Sequence, residues 1–392
     1  MSEMETKANS ELLNIQEVYG MWKTFKPYVI LILVFLVVVS IMIGGCAKQA
    51  ATTAPGTVYK LTYALFQPPT AALSATNTAF AKEIETRSNG RVQITVAQGG
   101  SLLAAPAMYQ GIRDGIADMG NGISSYNPGN FPFTSIAELP NAGGSGWAAS
   151  YAQYDFLMKY QPKEWNDVHI LTICSPDCDI MAVGTGKAPI LKLEDWKGKA
   201  IRTNHADIAT ALGGTVKDVP MADVYDGISK GVLDGVQGSP EPFKSWKLGD
   251  VCKYITLDLA PTQPSILWYN IMNKDKWNSL PSDIQKIITD VSKEYSGKLG
   301  LTWDEQAAAG AAYCKSIGDS VYVLPDSEAA RWTAAILPVI DARLQKLTTK
   351  GFTQKEIQDA WKYFQGRIEY WNGQQSKNNV TPLRDRLQSV IK

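Results

Sequence analysis

The chain has 392 residues, 45% of them hydrophobic; that is enough to bury a core and too long for one comfortable domain, so two are expected. Lysine plus arginine equals aspartate plus glutamate at 38 each, and no basic stripe stands out, which argues against a nucleic-acid partner. Glycine is plentiful at 32, and helical and strand-like patterns alternate, which suits an α/β protein.

The first feature along the chain is apolar. Tyr28 to Ile43 reads YVILILVFLVVVSIMI, a run of 16 residues, short of the ~20 a spanning helix needs. Lys23 and Lys26 precede it, and Gly44, Gly45 and Cys46 follow. A positive region, an apolar region and small residues before a cut make a secretory signal; a single transmembrane anchor is the alternative. The ending IGGC resembles a bacterial lipobox, in which the cysteine is lipidated after cleavage. The expectation is a signal peptide over 1–45, a lipidated Cys46, and a small-residue tether over 46–57 that holds the folded body off a membrane. Residues 1–20 are acidic and fit no such positive region, so a true start at Met21 would restore an ordinary signal.

After the tether, Tyr59 to Leu65 alternates like a half-buried strand and Ala71 to Ser88 reads as a helix with Leu73, Phe80 and Ile84 on one side. A strand over Arg91 to Ala97, a helix over Ala105 to Asp114 and a strand through IADMGNGIS complete a strand–helix–strand–helix–strand order, the signature of a parallel sheet. Four cysteines remain in the exported part. An even count in an oxidising compartment permits disulfides, and the tight loop CSPDC predicts a Cys174–Cys178 bridge; for Cys252 and Cys314 no pairing is expected either way. His169 and His205 fall into no metal-ligand spacing with them, so no metal and no cofactor is expected. GKAIRT then reads as strand, HADIATALGG as helix, TVKDVP as strand, MADVYDGISKGVLDG as helix and GVQGS as a short strand, making a second α/β unit. Ser265 to Asn273 is an apolar strand. Pro281-Ser282 followed by Gln285 reads as a capping box, opening a helix with apolar Ile284, Ile287, Ile288, Val291, Tyr295 and Leu299 that runs to about Ser316.

No G-x-S-x-G, H-E-x-x-H or P-loop occurs, and two histidines leave few options for a His-based general base, so no catalytic residue and no enzyme activity is expected.

Five segments in order carry a family resemblance: RSNGRVQITVAQGGSL, GIADMGNGISSYNPGNFPFTSIAELP, LKLEDWKGKAIRT, VPMADVYDGISKGVLDG and MNKDKWNSLPSDIQKII. Together they resemble the DctP-type solute receptors of tripartite ATP-independent periplasmic (TRAP) transporters, from about Tyr59 to Ser316. The resemblance implies a two-lobed periplasmic solute-binding fold, with lobes joined by crossing strands and one long helix. Lobe I would be 58–179 and 264–303, and lobe II 180–263 and 304–392, with the helix at about 282–316 across both. It implies an organic-anion ligand in the cleft, whose carboxylate the family's "RT" arginine binds; here that is Arg202. A planar guanidinium fork matches a carboxylate, and the carboxyl end of a strand is where ligands sit in open α/β sheets. The resemblance also points to Phe66 and Gln67 after the first strand, to Ile123, Ser124 and Tyr126, to Asn204 and His205 after the arginine, and to Met221, which core packing would explain equally well.

The chain departs from the family's sugar-acid pattern. Gly238 stands where an asparagine is expected, with Ser239 and Glu241 nearby; Met181-Ala182 stand in place of a second arginine; Ile123 replaces a cleft carboxylate. A site that cannot pair a ligand's buried hydroxyls selects against them, so a less polar monocarboxylate, aromatic or branched, is expected. The partners implied are a small organic acid, TRAP permease subunits and the membrane through the Cys46 lipid, in an extracytoplasmic, periplasmic location. A receptor of an ABC importer and an exported lipoprotein enzyme are the competing readings.

Overall fold

The computed structural model describes residues 56–391 apart from 128, 141–143, 177–180 and 260–264. Cys46, with the whole signal region, and Cys178 lie outside the described residues.

β1 (Tyr59–Ala64) leads into α1 (Ala72–Arg87), where Leu73, Phe80 and Ile84 are buried on one face, as their spacing predicts. β2 (Val92–Ala97) pairs parallel to β1; α2 (Met108–Arg113) follows; β3 (Met119–Ile123) lies parallel to β1 on its other side. Every residue of β3 is buried, as befits a central strand covered on both faces. α3 (Gly146–Tyr160) and β4 (Val168–Cys174) complete this part of the first sheet.

The chain then crosses into a second sheet. Its elements are β5 (Met181–Thr185), β6 (Ala200–Arg202), α4 (Ala206–Ala211), β7 (Thr215–Lys217), α5 (Val224–Ser229), β8 (Gly235–Gly238), α6 (Pro242–Ser245) and β9 (Tyr254–Asp258). It crosses back at β10 (Trp268–Asn273), which inserts antiparallel between β3 and β4. α7 (Lys274–Ser279) and α8 (Ser282–Ser316) follow, then β11 (Ser320–Val323), α9 (Asp326–Thr348), α10 (Gln354–Asn372) and α11 (Leu383–Ile391). The first sheet has strand order β2-β1-β3-β10-β4 and the second β11-β9-β5-β8-β6-β7. The expected two-lobed α/β fold is thus present, each lobe built on one sheet.

At 35 residues, α8 is about 50 Å long and reaches both lobes. Ile284, Ile288 and Val291 pack with Phe80 and Ile84 of the first lobe; Ala307, Ala311 and Cys314 pack with Phe243 and Leu257 of the second. Two glycines permit its closest approaches. A Cβ on Gly300 would lie 2.3 Å from the Gly146 carbonyl oxygen, and one on Gly310 would lie 2.1 Å from that of Pro240. Asp304, fully buried on the same helix, accepts from the backbone N–H groups of Gly146 (2.7 Å) and Trp147 (3.4 Å), placing a carboxylate at the positive end of α3.

Two expectations are corrected. The capping box at Ser282 and Gln285 does not form. Pro281 already holds the extended conformation of an N-cap (φ −67°, ψ 154°), so Ser282 is inside the helix, and the Gln285 amide donates to the Trp277 carbonyl at 2.8 Å instead. Nor does the whole tail after Asp304 belong to the second lobe. Ile357, Ala360, Phe364 and Ile368 form an apolar stripe on α10 that joins the first lobe's core beside Phe133 and Phe156. Arg367 ties the same helix to Asp155 of α3 at 2.6 Å. α9 starts in the second lobe, with Trp332 and Ile336 against Trp196, and ends in the first, at Leu347; α11 returns to the second through Leu383 and Leu387.

Candidate ligand-binding site

The carboxyl ends of β1, β3, β6 and β8 converge where the two sheets meet. β1 delivers Phe66 and Gln67; β3 delivers Ile123 and, one short turn later, Tyr126; β6 ends on Arg202 and leads to Asn204; β8 leads to Glu241. β10 runs antiparallel to β3 in register Trp268 to Ile123, so its first residue sits at the same edge. These side chains enclose one cavity together with Met221, Pro242, Trp246 and Trp303. Its volume is about 30 Å³, room for roughly two waters.

Of the residues expected at the site, eight line this cavity: Phe66, Gln67, Ile123, Tyr126, Arg202, Asn204, Met221 and Glu241. Ser124 and His205 line a separate open groove of about 620 Å³, which shares Asn204 with the cavity. The Ser124 hydroxyl donates to the Glu138 carboxylate, and His205 sits beside Arg343. Arg343 spends its charge on a two-pronged pair with Asp207 (2.6 and 2.5 Å). Burial, then Arg343 and Arg202, push the His205 pKa down to about 3, so its ring is neutral. Gly238 and Ser239 line neither space; the Ser239 hydroxyl accepts from the Glu241 backbone N–H at 3.3 Å. Cys174 is buried and its thiol is pushed up to about 12 by burial.

Arg202 is 3% exposed. Its Nε donates to the Val219 carbonyl at 3.1 Å and its Nη2 reaches the Tyr126 hydroxyl at a long 3.5 Å. No carboxylate lies within ion-pair distance of it among the described residues; Asp218 acts only at longer range, and burial lowers the pKa of the Arg202 guanidinium. A surface salt bridge therefore does not explain this arginine. It keeps its proton at any ordinary pH, so the cavity wall carries a desolvated positive charge. Glu241 is also 3% exposed, and burial pushes its carboxyl up to about 7.

The rest of the wall is aromatic. Phe66 stacks on Trp268 (centroids 5.4 Å apart, planes 21° apart) and meets Tyr126 edge-on at 6.1 Å; Trp268 meets Trp303 edge-on at 4.9 Å. The sequence reading missed Trp246, Trp268 and Trp303. Trp268 opens a strand read as plain core, and Trp303 continues the α8 apolar stripe four residues after Leu299, so neither differs from a core residue by spacing. The one signal was the count of 11 tryptophans, which does not say where they gather.

Comparison with known proteins agrees with this architecture. Residues 66–346 match DctP, the family described as bacterial extracellular solute-binding protein, family 7. A solute-binding protein of Albidiferax ferrireducens is 26% identical over 262 residues, 64% of this chain and 75% of its own length. The structure of a TRAP periplasmic solute-binding protein from Desulfovibrio salexigens is 29% identical, with a TM-score of 0.68 over 80% of this chain and 96% of that one. A TRAP solute-binding protein from Rhodoferax ferrireducens, solved with copurified benzoate, has the same fold at 23% identity, with a TM-score of 0.75 over 81% of this chain and 99% of that one. The chain belongs to the DctP family of bacterial extracellular solute-binding proteins.

Proposed function

We propose that the chain is an extracytoplasmic receptor that captures a relatively apolar monocarboxylate between its lobes and delivers it to a TRAP-type secondary transporter. Arg202 carries the reading: a buried cation without a carboxylate partner among the described residues, set in an aromatic wall, is complementary to an organic acid whose body is apolar. Ile123, where a sugar-acid site has a carboxylate, adds apolar surface to the same wall. The copurified benzoate of the Rhodoferax protein is a ligand of this chemistry. The receptor role, rather than catalysis, follows the family. The lipobox-like end of the N-terminal apolar run supports anchoring through a lipid on Cys46, outside the described residues.

A ring bearing a carboxylate exceeds a 30 Å³ space several-fold, so the lobes open to admit it and close again by rotation about the segments that connect the two sheets. The test is a thermal-shift screen of the full chain in mild detergent against aromatic, branched and sugar acids. A ligand at 100 times its dissociation constant stabilises by about 2.7 kcal/mol. Stabilisation by aromatic or branched acids is expected; stabilisation by sugar acids alone would overturn the reading.

A further inference from the structure

Beside Arg202, the cavity wall holds two buried acceptor side chains, Gln67 and Glu241. Gln67 is 2% exposed and comes from the first lobe. Its amide nitrogen donates to Asn121 Oδ1, and Asn121 is itself oriented by donating from Nδ2 to the Tyr269 carbonyl at 3.2 Å. That chain fixes which end of the Gln67 amide is which. Its Oε1 remains a buried acceptor with no donor among the described residues. Glu241 comes from the second lobe, between Ser239 and the α6 turn, and lines the same cavity. The groups acting on it are burial and the Ser245 hydroxyl, with no cation among them. A buried acceptor without a donor is costly, and natural interiors rarely leave one.

Resting on the reading of the cavity as a carboxylate site, we infer that Gln67 and Glu241 form a second recognition point, which selects acids that also carry a hydroxyl. Arg202 holds the carboxylate, the aromatic wall holds the body, and the hydroxyl hydrogen is accepted by Gln67 Oε1 or the Glu241 carboxyl. The two acceptors come from opposite lobes, so they flank the hydroxyl together only in the closed form. An acid without a hydroxyl leaves Gln67 Oε1 unpaired inside the closed cavity, and a site built to pair a substrate hydroxyl discriminates against the analogue that lacks it.

The experiment is calorimetry on the full chain with matched pairs: benzoate against 2-, 3- and 4-hydroxybenzoate, and phenylacetate against mandelate. At least one hydroxy acid is expected to bind ~10- to 100-fold tighter than its parent, the range of one buried hydrogen bond. Gln67→Met and Glu241→Leu, with Glu241→Gln as the conservative control for folding, should each shrink that ratio toward one. Parents that match every hydroxy acid in the wild type, or a ratio that survives in both variants, would overturn this inference and leave the carboxylate site standing. Absence of binding by every member of the set would overturn both.

Discussion

Replacing Arg202 by methionine should separate binding from stability. The guanidinium is desolvated and has no counter-ion within ion-pair distance among the described residues, and an ion taken out of water costs several kcal/mol after relaxation. Its direct bonds return little: one to the Val219 carbonyl at 3.1 Å and a weak one to Tyr126 at 3.5 Å. Both partner residues are only partly buried, so water can take over when the arginine is gone. Methionine fills similar space against Met221 and the tryptophans. Urea denaturation of ligand-free Arg202→Met should therefore show no loss of stability and a gain of up to about 2 kcal/mol. Binding should move the other way. Removing one side of a buried charge pair costs roughly 2–5 kcal/mol, or about 30-fold to several thousand-fold in affinity. Arg202→Lys keeps the charge but loses the fork, and should fall between. A variant that is less stable by more than about 1 kcal/mol and binds acids unchanged would refute this reasoning, because that is how a structural ion pair behaves.

Other predictions follow from the same contacts. Glu241 has a folded pKa of about 7 against an ordinary 4.5, so the neutral form is favoured in the fold; its contribution is fully present below pH 4.5 and is lost as pH rises through 7. At 1.36 kcal/mol per unit, Glu241→Gln should gain about 3 kcal/mol on wild type between those limits, and parallel stability–pH curves would contradict this. Asp304→Ala strips two buried N–H groups at the start of α3 of their acceptor and should cost about 2–4 kcal/mol in urea denaturation, with affinity for acids kept. Cys46→Ser should leave the chain unprocessed and without lipid, read by mass spectrometry of the membrane fraction; normal maturation would exclude the lipoprotein reading.

The elements whose faces declare themselves by spacing were legible in the sequence. The β1-α1-β2-α2-β3 order and the run of α8 to about Ser316 follow from apolar periodicity, with Leu73, Phe80 and Ile84 buried as expected. The strand ending on Arg202 is legible in GKAIRT itself; the expected role of the arginine, and its neighbours at other strand ends, came from the family resemblance. What spacing cannot give is the identity of the partner. The stripe Ile357, Ala360, Phe364, Ile368 says that α10 has an apolar face, and only tertiary packing says that the face covers the first lobe. Trp268 and Trp303 sit on core-like stripes, and their place in the cavity wall depends on where two distant segments meet. The Gln67 oxygen, without a donor among the described residues, is invisible without the orientation that Tyr269 imposes on Asn121. The failed cap at Ser282 has a local cause: the preceding proline takes the cap conformation first.

The central claim is that the cavity holds a carboxylate on Arg202, and benzoate against benzamide tests it most directly, since the two share a shape and differ in charge. Calorimetric titration of the full chain should show benzoate binding at least ~30-fold tighter than benzamide, and that advantage should vanish in Arg202→Ala. Benzamide binding within about threefold of benzoate, or Arg202→Ala binding benzoate within about threefold of wild type, would contradict the account.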